Sequence, residues 1–260
     1  MSARQTSESN STDPFEFELF YWPFLQGRGE FIRLAFEATG TRYRDVCRMP
    51  ESDGGGLAAL RAVLSPSLPA GPFAPPVLRH KQINLFQTAA ILDYIGPLLG
   101  LGGNSPAETR RCLQIQLCIL DTVAEIHNLH HPISTALYYE EQKVEALRAT
   151  HSFVNTRIWK WMDYYALILE QNNGPFLVGD RTGYPDLSLF QLLAGLEYAL
   201  PRTYAIIAQK YPRLMALRSA VGEIEGIQSY LSSERRLPFN QDGLFRFYAE
   251  LDLEPEQSIA

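Results

Sequence analysis

The opening of the chain limits the fold more than any other stretch. Residues 15–21 (FEFELFY) alternate, so Phe15, Phe17, Leu19 and Tyr21 share one face of a strand. The next segment, WPFLQGRG, carries Pro23, Gly27 and Gly29, which is loop chemistry. Phe31, Leu34, Ala35 and Ala38 then recur at helical spacing, and Gly40 follows as a stop. Residues 42–48 (RYRDVCR) read as a second strand. Strand, helix and strand in 48 residues make a βαβ unit, whose parallel pairing expects a right-handed crossover.

Residues 50–76 are rich in Gly, Pro, Ser and Ala and hold one short helix, 57–64. After Pro75 and Pro76, VLRHKQINLF reads as two short strands about a turn at His80–Lys81. Ile91, Tyr94, Ile95 and Leu98 then mark one helical face, and GLGGNSP (100–106) marks a linker. Beyond residue 106 the signals are helical only, at 107–131, 140–172, 184–200, 201–211, 212–221 and 224–233. The expected organisation is a disordered tail at 1–14, an α/β domain at 15–98 ordered βαβ then ββα, and an all-α domain at 107–260.

Composition closes off several function classes. With 46% hydrophobic and 20% charged residues, the 260-residue chain is expected to be soluble and globular. No apolar run approaches the ~18 residues of a membrane span, so no membrane partner is expected. A net charge of −6 without a long basic run argues against nucleic acid. The polar N-terminus is no secretory signal, and Cys47, Cys112 and Cys118 show no disulfide framework. Free thiols in the cytoplasm are the expectation, with Cys112 and Cys118 as buried filler. The DGGGL run (53–57) lacks the Lys-Ser/Thr ending of a phosphate loop and is expected to be a mobile loop.

Three segments carry a resemblance to a known family. YWPFLQGRGEFIRLAFEATGTRYRDV (21–46), FAPPVLRHKQINLFQTAAILDYIG (73–96) and GPFLVGDRTGYPDLSLF (174–190) resemble the corresponding segments of cytosolic glutathione transferases. The tyrosine-type classes, with a likeness to fungal and bacterial members, fit best. The resemblance implies a thioredoxin-like βαβ–ββα domain followed by an all-helical domain. It also implies glutathione as cosubstrate, an apolar small-molecule electrophile and a homodimer.

That resemblance gives the site residues their expected roles. A glutathione thiol titrates near ~8.5, so a donor must stabilise its thiolate at neutral pH. Tyr21 matches that donor, and no Ser or Cys lies between Ser11 and Cys47 to offer a serine- or cysteine-type site. Arg28 matches the family's loop arginine. Gln87 and Thr88 match the pair that opens the third helix and meets the γ-glutamyl carboxylate. Pro76 matches the cis-proline, in which case Pro75 lacks the N–H that would pair with the cysteinyl part; otherwise Pro75 is itself cis. Asp121 is the candidate for the acidic group that a partner subunit supplies.

In the helical half, Gly183 occupies the N-cap slot where the family usually has Ser or Thr, with Asp186 three residues on. HNLHH (127–131) places His127, His130 and His131 at i, i+3 and i+4. This spacing can gather a metal, but no Cys is near and Pro132 breaks the helix, so no metal is expected. His127, His131 and Tyr138 are expected instead in the electrophile pocket. The aromatic segment 237–248, with Phe239, Phe245, Phe247 and Tyr248, is expected to fold back onto the helices and wall that pocket. A glutathione transferase leads. A glutathione-dependent cis/trans isomerase or tailoring enzyme of secondary metabolism is the near alternative, and a non-catalytic binding module the distant one.

Overall fold

The computed structural model describes residues 16–65, 71–172 and 174–256. The expected tail at 1–14 and the strand position of Phe15 lie outside these residues. The chain begins with β1 (Phe17–Phe20), α1 (Gly29–Ala38), β2 (Tyr43–Asp45), α2 (Gly56–Val63), β3 (Val77–His80), β4 (Ile83–Phe86) and α3 (Thr88–Leu98). The strands form one sheet in the order β2-β1-β3-β4. β1 pairs with β2 in parallel, as the strand–helix–strand opening demands, and with β3 antiparallel.

The strand expected over 42–48 is shorter. It ends at Asp45, and Val46–Arg48 form a turn of 3-10 helix. Alternation also fails in β1, because Phe20 is as buried as Phe17 and Leu19. The second face is covered by α2 at Phe20, while Glu18 on that face stays partly exposed between Arg44 and Arg79. Phe17 and Leu19 pack against α1 and the main core, whereas Phe20 joins Val46, Cys47, Leu60, Val63 and Val77 on the α2 side.

The rest is helical: α4 (Pro106–His130), α5 (Lys143–Ser152), α6 (Ile158–Asn172), α7 (Tyr184–Ala199), α8 (Pro201–Lys210), α9 (Pro212–Gly222) and α10 (Glu225–Leu231). The helix expected over 140–172 is interrupted by a π-helical turn at Phe153–Arg157. α7 is the central rod, buried along nearly its whole length. Its start replaces the missing Ser/Thr cap with Asp186, whose carboxylate accepts the Gly183 N–H at 2.7 Å and the Leu177 N–H at 2.8 Å. Cys47 and Cys112 are buried free thiols, while Cys118 is only half-buried.

Candidate functional site

The register of the sheet gathers the candidate residues at one end. Phe20 stands opposite Val77, and Val77 stands opposite Phe86. Tyr21 therefore leaves β1 where Pro75–Pro76 enters β3 and where Gln87–Thr88 leaves β4. The Pro75–Pro76 bond is cis, so Pro76 is the cis residue and Pro75 contributes no amide donor beside it. Arg28 closes the same end as the cap of α1.

Tyr21 lies beneath the loop that follows it and is 5% exposed. Gly27 and Gly29 make this possible. A Cβ at Gly27 would sit 2.1 Å from the Tyr21 hydroxyl, and one at Gly29 2.6 Å from the ring. Gly27 also has φ +51°, which disfavours any L side chain. The hydroxyl accepts the Arg28 backbone N–H at 2.7 Å. Burial raises the Tyr21 pKa above its usual value, against the lowering influence of the Arg28 N–H and the Arg28 and Arg33 charges. The phenol thus keeps its proton at neutral pH and has it available to donate. The Arg28 guanidinium is half-buried.

A charged network that sequence reading missed holds this loop from below. Arg33 is fully buried, donating to Asp45 at 2.7 Å, to Glu30 at 3.3 Å and to the Gln26 carbonyl at 3.2 Å. Burial opposes the Arg33 charge, but Asp45 and Glu30 outweigh it and push its pKa higher still. The other oxygen of Glu30 accepts from Tyr230 at 2.8 Å and pairs with Arg236. Arg236 continues to Gln191 at 2.9 Å, and Gln191 donates to Gln26 at 2.7 Å. The sequence held one signal of this network: GEFIR puts Glu30 and Arg33 at i, i+3 in a largely apolar helix whose other charged residue is Glu37. Arg236, Tyr230 and Gln191 carry no local signal, because their partners are up to 206 residues away.

Gln87 is the N-cap of α3, and Thr88 is its first helical residue. The pair thus opens the third helix, with Gln87 and not Thr88 at the cap. Gln87 holds φ +71°, ψ 120°, a sparsely populated region for a residue with a side chain. The Thr88 hydroxyl is buried with no partner among the described residues. Two loop aromatics, Trp22 and Phe24, are exposed at 38% and 49% with ring centroids 6.1 Å apart.

The helical half brings only some of its candidates to this end. His127, His130 and His131 cluster at the end of α4, with ring centroids 4.8–5.2 Å apart. The Arg28 charge reaches His127. Tyr138 is 77% exposed and is not part of the cluster; the tyrosine that packs near His130 is Tyr248, at 6.2 Å. Asp121 is exposed on α4, one turn beyond the exposed Leu117. The aromatic segment does fold back. Phe245 buries its ring where a Cβ at Gly195 would be 2.4 Å away, and Phe239 stacks on Tyr198 at 5.0 Å. Phe247 stays 36% exposed. The segment also touches the glycine loop, since Gln26 donates to the Leu237 carbonyl and Asn240 to the Phe24 carbonyl at 2.9 Å. A cavity of about 600 Å³ lined by Phe20, Ala59, Val63, Arg79, Asn84 and Phe86 contains none of the candidate residues.

The chain is similar to known proteins over most of its length. A family model described as glutathione S-transferase, C-terminal domain, matches residues 127–234. Glutathione S-transferase A3 of Mus musculus is 26% identical over 218 residues, covering 83% of this chain and 89% of the relative. Probable glutathione S-transferase gst-36 of Caenorhabditis elegans is 25% identical, covering 84% of this chain and 97% of the relative. The crystal structure of a glutathione S-transferase from Ascaris lumbricoides shares the fold with a TM-score of 0.63 at 23% identity, covering 86% of this chain and all (100%) of that one. None of these three is fungal or bacterial.

Proposed function

We propose that this chain, which belongs to the cytosolic glutathione S-transferase family, conjugates glutathione to an apolar electrophile at the sheet end described above. Glutathione is the cosubstrate. The observation that carries the reading is the Tyr21 phenol: buried, protonated at neutral pH, accepting the Arg28 amide and with no acceptor for its own proton among the described residues. Such a hydroxyl donates to the thiol sulfur and stabilises the thiolate as its proton leaves for solvent. The sulfur then attacks an electrophilic carbon, and the leaving group departs with the bonding electrons. The amide bond that the hydroxyl accepts strengthens it as a donor.

The half-buried Arg28 guanidinium and the first turn of α3 suit the peptide's carboxylates. The unpartnered Thr88 hydroxyl supports its place, with Gln87, at the γ-glutamyl end. Pro75 and Pro76 would flank the cysteinyl part through van der Waals contact and the Pro75 carbonyl. Exposed Trp22 and Phe24 supply apolar surface beside Tyr21, and His127, which the Arg28 charge reaches, would face it together with His131. A homodimer is part of the reading. Asp121 with Leu117 one turn earlier offers a partly apolar helix face to a partner, and the free thiols suit a reducing compartment.

The test is Tyr21→Phe assayed with glutathione and a generic aryl halide across pH 6–8. Turnover should fall by ~10²–10³ while retention on immobilised glutathione persists. Unchanged turnover refutes the role of Tyr21. Retention without turnover in the native chain marks a binding module instead. Light scattering should give twice the 29.4 kDa chain mass.

A further inference from the structure

The histidine cluster has a feature that the conjugation chemistry does not use. His130 is 3% exposed, and its Nε2 lies 3.1 Å from the Leu244 carbonyl oxygen. A carbonyl only accepts, so Nε2 carries the proton and donates it. In the neutral ring the lone pair then belongs to Nδ1, which is buried with no partner among the described residues. A buried acceptor without a donor is costly to keep. A histidine whose far N–H is held by a backbone carbonyl while its other nitrogen is bare is arranged as a metal ligand.

The two neighbours complete a donor set. His127 is one helical turn before His130 on α4. His131 is the residue after the helix, with φ −135° and ψ 53°, and this departure from helical geometry still leaves its ring 4.8 Å from that of His130. One nitrogen from each of the three residues lies within 4.8 Å of the others. Tetrahedral binding at ~2.0–2.1 Å per nitrogen needs them ~3.4 Å apart, which modest side-chain rotation supplies. Pro132 therefore does not spoil the cluster, contrary to the expectation from sequence. His127 and His131 are half-exposed, so an ion has a way in.

We propose that His127, His130 and His131 form a three-nitrogen site for a divalent transition cation of the zinc type, with its remaining coordination open to solvent. Burial, with the neighbouring positive charges of Arg246 and, at His127, Arg28, drives the ring pKa values down, to about 3 at His130 and about 4 at His127. The rings are accordingly neutral at pH 7, the form that binds metal. The same two arginines oppose a dication, so the affinity rests on the coordination bonds and not on the field of the site. Arg246 is turned back onto the chain, donating to the Gly243 carbonyl at 2.9 Å.

The site shares His127 and His131 with the electrophile pocket of the glutathione reading, but its test uses no turnover and no glutathione. The full-length chain, free of any affinity tag, is titrated with Zn²⁺ by calorimetry and with Co²⁺ by visible absorption, without glutathione. One ion per chain and a tetrahedral Co²⁺ band are expected. His130→Ala should weaken Zn²⁺ binding by at least tenfold and abolish the band. Native affinity in His130→Ala would mean that the exposed pair alone chelates, and would overturn the proposal, as would absence of stoichiometric binding. Should His130→Ala fail to fold by circular dichroism, His127→Gln and His131→Gln decide, each expected to lose tenfold or more. Retention of the Co²⁺ band in both would overturn the site.

Discussion

Beneath the glycine loop, buried polar groups are charged and joined in ion pairs, although Arg33 Nη2 and Asp45 Oδ1 have no partner among the described residues; at the end of α4 they are neutral, and the bare atom is the acceptor nitrogen of His130. Arg33, Glu30, Asp45 and Arg236 neutralise one another in a space closed to water. His127, His130 and His131 escape the cost of burial by shedding their protons. The first arrangement can hold a loop rigidly because each charge has a fixed partner. The second leaves coordinating capacity, because a neutral ring with one committed N–H still has a lone pair. A scaffold and a receptive site are thus separated by protonation state more than by depth.

The sharpest way to break the comparison is to remove the cation at its centre. Arg33→Met should cost about 3–5 kcal/mol, because it removes one of the two cations on buried Glu30 and leaves Asp45 only the 3.8 Å contact with Arg48. The midpoint of urea unfolding reads this directly. A loss below 1 kcal/mol would show that the network is not holding the loop.

Next in size is the apolar anchor of the other region. Phe245→Ala should cost ~3 kcal/mol through the cavity it leaves over Gly195. Because residue 244 carries the carbonyl that fixes the His130 tautomer, this variant should also weaken Zn²⁺ binding. Stability lost with Zn²⁺ affinity intact would separate the segment from the histidines.

A smaller effect is expected at the loop itself. Gly29→Ala places a methyl group 2.6 Å from the Tyr21 ring and should cost ~1–3 kcal/mol as the ring or loop shifts. Conjugation should fall more than glutathione affinity, because the displaced group is the proposed sulfur donor. Equal losses in both would place Tyr21 in ground-state binding.

A pH-dependent effect of similar size concerns a carboxyl group buried without a cation among the described residues. Burial raises the Asp186 pKa to about 7, against the Gly183 and Leu177 N–H donors that lower it. Its ordinary value is 3.8, so between about pH 4 and 7 the folded chain keeps a proton that the unfolded chain releases. Its contribution to stability is therefore largest below pH 4 and is lost as pH rises through 7. Asp186→Asn removes this slope, and the stability difference between native and variant should narrow from pH 5 to pH 7. A difference that widens would mean that the two N–H donors keep Asp186 ionised in the fold.

What the sequence determined by itself is local. Alternation, loop glycines and helical spacing over residues 15–48 make the opening unit legible, and the family resemblance singles out Tyr21 at its strand end and Arg28 in its loop. The cap at Asp186 was also readable, since donor and acceptor lie within the first turn of α7. Tertiary structure decided the rest. Tyr138 was read as a pocket residue from its nearness to the histidines in the chain, yet its side chain points into water. Glu30 meets Tyr230 and Arg236, and His130 meets Leu244 114 residues later, because the final segment packs back across both regions. No window of sequence contains both ends of such a bond. The bare nitrogen of His130 follows from one of them, because a tautomer is set by the partner that the fold supplies and not by the residues beside it.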